Sequence, residues 1–346
     1  MKAVVLRKAF DLAVGDVAMP QARPGEVLVR VSHSGICGTD LKIFTGSMPA
    51  AYPIIMGHEI TGEVVGSVGD AISVGARVLV DPVIFCGTCI DCRAGRTNLC
   101  PNGAVIGREV NGGFADYVAA PSSHLYPLPP SIESRTVPLI QVLTTVLHAQ
   151  RRAGLDSPPG GPAGEMSSIA VIGLGVSGQL HAQLAKARGV PMVIGISRSA
   201  WKRQLSEQLG ADRTFATNEA IASVKTVTGG RGADVVVEST GAVASIADAI
   251  AMVRPGGTIV LFGIYTATEA SLPFYQLYFK EPAVINARAA IPEDFPESIE
   301  LVASGRVSLS ALVTHVLPLS ELRQALGMLE RDEDGRMKII DRKSVV

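Results

Sequence analysis

The sequence predicts an α/β chain of two domains, with a doubly wound parallel sheet set inside an irregular antiparallel β domain. Three observations carry that expectation. Short β-like runs punctuated by glycine fill the first ~140 residues, apolar β runs alternate with amphipathic helices through the middle, and mixed character returns near the end. A chain of 346 residues is also too long for one ordinary domain and about right for two.

Taken in order, Glu26–His33 alternates with Val27, Val29 and Val31 on one face, the period of a half-buried strand. Ile60–Gly69 and Ala76–Val80 are further strands. At Ser157–Gly164 (SPPGGPAG) the pattern breaks into a loop with nothing to pack. Strands then follow at Ser168–Ile172, Met192–Ile196, Asp234–Glu238 and Thr258–Phe262, separated by helices at Gln179–Arg188, Ala200–Leu209 and Ile246–Val253. Such apolar strands between helices argue for a parallel sheet covered on both faces. Helices near Pro296–Ser304 and Ser320–Glu330 belong to a tail that rejoins the first domain. The expected division is 1–142 with 288–346, and 143–287 inserted between them.

Composition narrows the function. With 47% hydrophobic and 18% charged residues, the chain has the apolar content to form a core and is not a disordered one. Thirty-one Lys and Arg against 32 Asp and Glu imply no surface for a polyanion, so no nucleic-acid partner is expected. No run of ~20 mainly apolar residues suggests a membrane span, and the MKAVVLRKAF start is too short an apolar stretch for a signal peptide. The expectation is a soluble, cytoplasmic protein.

Three motifs carry chemistry. The first is Cys86-x2-Cys89-x2-Cys92-x7-Cys100, four thiols able to wrap one tetrahedral zinc and leave no open position, which makes a structural site. A zinc-ribbon nucleic-acid binder is the alternative, but this lobe offers only Arg93 and Arg96, opposed by Asp91. The second is Gly57-His58-Glu59, which begins twenty residues after Cys37 in the Ser34–Asp40 run. A thiolate and an imidazole from separate segments, with a carboxylate beside the imidazole, form a partial zinc shell with room for substrate. The third is Gly173-Leu-Gly175-Val176-Ser177-Gly178, placed after a strand and opening a helix, where a pyrophosphate can rest on the helix N-terminus.

Together these motifs resemble the zinc-dependent medium-chain alcohol dehydrogenases, particularly their polyol and threonine dehydrogenase-like branch. The resemblance extends through Gly112–Val118, the Asp234 segment, Arg254–Gly263 and Thr314–Leu319, essentially the whole chain. It implies a Rossmann doubly wound sheet joined to a GroES-like catalytic domain, two zincs per chain, a nicotinamide cofactor and a homodimer or homotetramer. By the same resemblance Cys37 and His58 ligate the catalytic zinc. Glu59 is a ligand in some relatives and a nearby carboxylate in others. Asp40 orients the ligand histidine, and Thr39 passes the substrate proton outward. Gln141 falls where relatives usually place Glu, Asp or Cys as the remaining ligand, and Lys42 where many have the histidine ending the proton relay. The zinc would serve as Lewis acid and the nicotinamide would take the hydride. The substrate pocket is expected near Thr39, Phe44, Tyr52, Phe114 and Arg288, with the substrate itself left open among alcohol classes.

The dinucleotide expected is NADP(H) in preference to NAD(H). An NAD-binding fold of this type carries Asp or Glu at the end of its second strand to bind the ribose hydroxyls. Here Ser197, Arg198 and Lys202 offer a hydroxyl and two cations suited to a 2′-phosphate. The run is similar to that of NADP-using relatives. Competing readings are an NAD-linked polyol or sugar dehydrogenase, a zinc-free quinone-reductase-like enzyme, which would lack the Cys37/His58 pair and the cysteine lobe, and a non-enzymatic dinucleotide-binding protein.

Overall fold

A computed structural model describes residues 1–67, 72–156, 167–331 and 335–343. The expected loop at Ser157–Gly164 lies outside the described residues. The chain divides into two compact units: residues 1–144, 290–304 and 309–346 form the first, and 145–289 with 305–308 the second.

The first unit is built on a twisted, largely antiparallel sheet. Its path runs Leu125–Pro127, Arg77–Val80, Glu59–Ser67, Glu26–Ile36, Lys338–Arg342 and Val313–Pro318, with Tyr117–Pro121 also pairing to Glu26–Ile36. The alternation read at Val27, Val29 and Val31 is a burial pattern, since all three sit in one apolar cluster with Ile60, Val64 and Val78. Period-two alternation places that whole set on one face, which fixes the register. Register then brings the chemistry together. Gly35 pairs with Glu59 on one side and with Ile340 on the other.

The second unit is a six-stranded parallel sheet. Its order is Arg213–Phe215, Met192–Ile196, Ser168–Ile172, Ala233–Glu238, Val253–Leu261 and Ala283–Asn286. Each central strand divides its apolar side chains between two cores. Ile169, Val171, Val193, Val235 and Val237 fill one, and Ala170, Ile172, Ile194, Ile196 and Val236 the other. Burying each such branched side chain stabilises the fold by roughly 1.5–3 kcal/mol. This is why these strands read as continuous apolar runs rather than alternating ones. The strand order reverses between Ser168–Ile172 and Ala233–Glu238, the switch point where open α/β sheets take ligands at their carboxyl edge.

Candidate active site

The strand Glu26–Ile36 delivers Cys37 to the N-cap of the helix Gly38–Phe44. Asp40, fully buried in that helix's first turn, accepts a hydrogen bond from the Cys37 backbone N–H at 2.8 Å. Its second oxygen lies 3.4 Å from His58 Nδ1, an electrostatic contact more than a formed hydrogen bond. One carboxylate thus fixes the backbone of Cys37 and faces the ring of His58. Burial alone would lower the basicity of His58, but Asp40 and Cys37 outweigh it and hold the ring well above its ordinary value of 6.5. The possible ligand atoms of Cys37, His58 and Glu59 all lie within 4.8 Å of one another.

Glu59 is the first residue of the strand Glu59–Ser67 and is fully buried. Lys338 donates from Nζ to Glu59 Oε1 at 2.6 Å, and its ammonium also touches Oε2. A buried carboxylate left unpaired would be strongly unfavourable, and Lys338 supplies its partner beside the other two donors. The space is created by Gly35, where an added Cβ would fall 1.9 Å from Glu59 Oε2. Sequence reasoning missed Lys338, which lies 279 residues from Glu59. A lysine in a strand otherwise reading Met337-Lys338-Ile339-Ile340 was the available signal.

Thr39 and Lys42 lie one helical turn apart and are both half-buried. Burial lowers the pKa of Lys42, partly countered by neighbouring Cys37. Gln141 lies buried in the first turn of the helix Pro138–Arg152, and its backbone carbonyl accepts from the Thr144 hydroxyl at 2.7 Å. Two aromatic residues expected beside the substrate are core residues instead. Phe114 is inaccessible and Phe44 nearly so, both in one apolar cluster with Ile43, Met56 and Leu326. The Phe114 backbone approaches Gly57 so closely that a Cβ on Gly57 would lie 2.9 Å from the Phe114 nitrogen. Among the other histidines, burial holds His181 at about 3 and therefore neutral, with its ring edge-on to Phe262.

The four thiols of the cysteine lobe form a second cluster, with ligand atoms within 4.8 Å of one another. Cys86 and Cys92 sulfurs are 4.0 Å apart, and those of Cys89 and Cys100 3.9 Å. A tetrahedral zinc with bonds of about 2.3 Å sets its sulfurs about 3.8 Å apart, so the cage has the right size. Backbone N–H groups also aim at sulfur, Cys86 toward Cys100 and Cys92 toward Cys89, each at 3.4 Å. Hydrogen bonds from the backbone of Thr88 and Cys89 hold the Cys86 thiol down at about 5, while burial and the neighbouring thiols push the Cys92 thiol up to about 12. Without a metal the four sulfurs thus share their protons unevenly. Arg96 clasps Asp91 at 2.8 Å across the lobe.

In the second unit the glycine turn follows Ser168–Ile172 and opens the helix Val176–Ala187, with Gly175 as N-cap. Gly173 adopts φ +92°, and a Cβ on Gly178 would meet the Gly173 carbonyl oxygen at 1.8 Å. Nothing lies within 4 Å of a Cβ built on Gly175, which leaves open space at the helix N-terminus for a pyrophosphate. Val176 and Ser177 begin the helix itself. At the end of the second strand Ser197 is half-buried and Arg198 exposed, and Lys202 rests over the Trp201 ring. Sequence reasoning did not single out Arg203. Its guanidinium donates to the carbonyl oxygens of Ser197 at 2.7 Å and Arg198 at 3.1 Å, bracing that loop.

The chain is similar to known proteins along almost its whole length. Residues 23–130 match the alcohol dehydrogenase GroES-like domain, and residues 177–304 match the zinc-binding dehydrogenase domain. An uncharacterized zinc-type alcohol dehydrogenase-like protein of Haemophilus influenzae is 32% identical, covering 98% of each chain. The sorbitol dehydrogenase of Bacillus subtilis is 31% identical, covering 98% of this chain and 96% of its own. A zinc-binding dehydrogenase of Sinorhizobium meliloti, solved with NADP bound, superposes with a TM-score of 0.90 at 31% identity, covering 99% of this chain and 98% of its own. Among the described residues no helix is long and apolar enough to cross a membrane. The chain is a nicotinamide-dependent oxidoreductase acting on CH–OH groups, and it belongs to the zinc-dependent medium-chain alcohol dehydrogenases, in the polyol and threonine dehydrogenase-like branch.

Proposed function

We propose that this chain interconverts a secondary alcohol or polyol with its carbonyl, using zinc and preferring NADP(H) to NAD(H). The observation that carries the reading is the convergence of Cys37, His58 and Glu59 within 4.8 Å in the same unit as a closed four-thiol cage. Two zincs per chain fit these donors, one catalytic and one structural, with Gln141 either a further catalytic-site ligand or a spectator packed near the metal. A zinc held by Cys37 and His58 would supply the Lewis acid that makes the substrate hydroxyl easier to ionise.

The chain's own groups have distinct tasks. Asp40 orients the His58 ring. Lys338 balances the charge of Glu59. The Thr39 hydroxyl takes the substrate proton outward, and Lys42, one turn further along, stands at the outer end of that relay. Gly173, Gly175 and Gly178 shape the turn for the pyrophosphate, with Val176 and Ser177 presenting their backbone at the helix start. Ser197, Arg198 and Lys202 receive the 2′-phosphate, and no carboxylate follows the strand Met192–Ile196 to repel it. Solved neighbours of this fold hold either NADP or NADH, so the choice rests on Ser197, Arg198 and Lys202.

The protein is proposed to be cytoplasmic and to act on a small molecule, without nucleic-acid or membrane partners. A homodimer or homotetramer is supported by exposed Phe274, Tyr275, Tyr278 and Phe279, which lie in the helix just before the edge strand Ala283–Asn286.

A screen of polyols, sugar alcohols, aromatic and terpenoid alcohols with NADP and NAD in parallel tests the reading. Charge-assisted contacts from Arg198 and Lys202 should give a kcat/KM preference for NADP on the order of 100-fold. Ser197→Asp with Arg198→Leu should reverse it. A wild-type protein that uses NAD better than NADP would leave Arg198 and Lys202 as ordinary solvated charges and defeat the cofactor assignment.

A further inference from the structure

Glu238 ends the strand Ala233–Glu238 at the carboxyl edge of the parallel sheet, and it is completely buried. Its carboxylate is engaged on both oxygens. Oε1 accepts from the Thr240 backbone N–H at 2.8 Å and from the Thr240 hydroxyl, and Oε2 accepts from the Gly241 N–H at 3.1 Å and from the Tyr265 hydroxyl. Its backbone carbonyl accepts from Phe262 and Gly263 at 2.9 and 3.0 Å. One residue therefore joins the loop after its own strand to the loop after Val253–Leu261.

The two loops meet backbone to backbone. A Cβ on Gly263 would lie 2.2 Å from the Gly241 nitrogen, and a Cβ on Gly241 would lie 2.9 Å from the Ile264 carbonyl oxygen. The joined ledge also abuts the glycine turn, where a Cβ on Gly173 would lie 2.5 Å from Thr240 Cγ2. A carboxylate in this place is costly to bury, and what offsets that cost is the four donors from the two loops that meet it. The position along the sheet supplies a reason for joining the loops. Ser197 follows the strand on one side of the glycine turn, and Glu238 ends the strand on the other. A dinucleotide with its pyrophosphate on the glycine turn and its adenosine ribose at Ser197 must send its nicotinamide half across the ledge that Glu238 holds.

We propose that Glu238 and Tyr265 are positioning residues for the nicotinamide half of the cofactor, holding both loops as one rigid ledge beneath it. The inference rests on the dinucleotide orientation given under the proposed function, and the experiment separates the two. Affinities are measured for NADPH, which carries both halves, and for adenosine 2′,5′-bisphosphate, which carries only the adenosine half.

Glu238→Gln should weaken NADPH by roughly tenfold or more, because hydrogen bonds to a charged group are lost, while the bisphosphate binds within about twofold of wild type. Tyr265→Phe removes a single hydroxyl, leaves the carboxylate in place, and should show the same split with a smaller loss if Glu238→Gln does not fold. In a double-mutant cycle the losses should be less than additive, since both act through one tether. Equal weakening of both ligands, unchanged NADPH binding by both variants, or strictly additive losses would overturn the assignment. Wild-type protein that binds neither ligand would instead overturn the proposed cofactor site on which it rests.

Discussion

Replacing Lys338 by methionine removes the only cation that the structure places on Glu59 among the described residues while preserving most of the side-chain volume. The two side chains are 3% and 1% exposed, so water does not screen the loss. Removing one partner of such a buried pair typically destabilises metal-free protein by about 3–5 kcal/mol, because Glu59 then loses its directly bonded ammonium. For a unit of this size each kcal/mol moves the thermal midpoint by roughly 2–4 °C, giving an expected fall of roughly 6–20 °C. Differential scanning calorimetry of wild type, Lys338→Met and the double variant Glu59→Gln/Lys338→Met reads this directly. The double variant should recover more than half of the loss, since a neutral amide no longer needs the ammonium. A Lys338→Met protein melting within about 2 °C of wild type would refute the reasoning, since a loss of even 1 kcal/mol moves the midpoint that far.

Two further outcomes follow from the first unit. Cys92→Ser opens the four-thiol cage and should cost one zinc per chain together with solubility or a large part of the thermal midpoint; wild-type stability and metal content would contradict the cage. Burial pushes the carboxyl of Asp81 up to about 7 from the ordinary 3.8, with Asp294 adding to the effect. The folded chain thus holds this proton more tightly than the unfolded one, and the stability it contributes is complete below about pH 4 and lost as pH rises toward 7. Asp81→Asn should therefore raise the midpoint more at pH 8 than at pH 5.5, and an equal effect at both would refute the assignment.

The second unit was the more legible of the two because its signals are local. Ser168–Ile172 and Met192–Ile196 form strands with the expected limits, since buried parallel strands are unbroken apolar runs. The helix expected from Gln179 begins at Val176, because the glycine-rich turn passes directly into helix at its N-cap Gly175. The strands Arg213–Phe215 and Ala283–Asn286 went unread, being short edge strands whose pairing depends on neighbours rather than on their own pattern.

At the site, cysteine spacing and the glycine turn identified donors that chain connectivity keeps together. The partners that come from afar carried no such signal. Lys338 reaches Glu59 across 279 positions of sequence, and Tyr265 reaches Glu238 across 27. In both cases the contact depends on sheet register, which sequence periodicity constrains but does not specify between distant strands.

The central claim, a zinc site at Cys37 and His58 serving a nicotinamide-dependent reaction, is tested most directly on Cys37→Ser. Metal content, turnover with NADP and binding of NADPH are measured side by side with wild type. The account predicts two zincs and turnover in wild type, and in the variant one zinc, no measurable turnover and retained NADPH binding, because the dinucleotide fold lies in the other unit. A Cys37→Ser protein with only the zinc of the four-thiol cage and near wild-type turnover would contradict it.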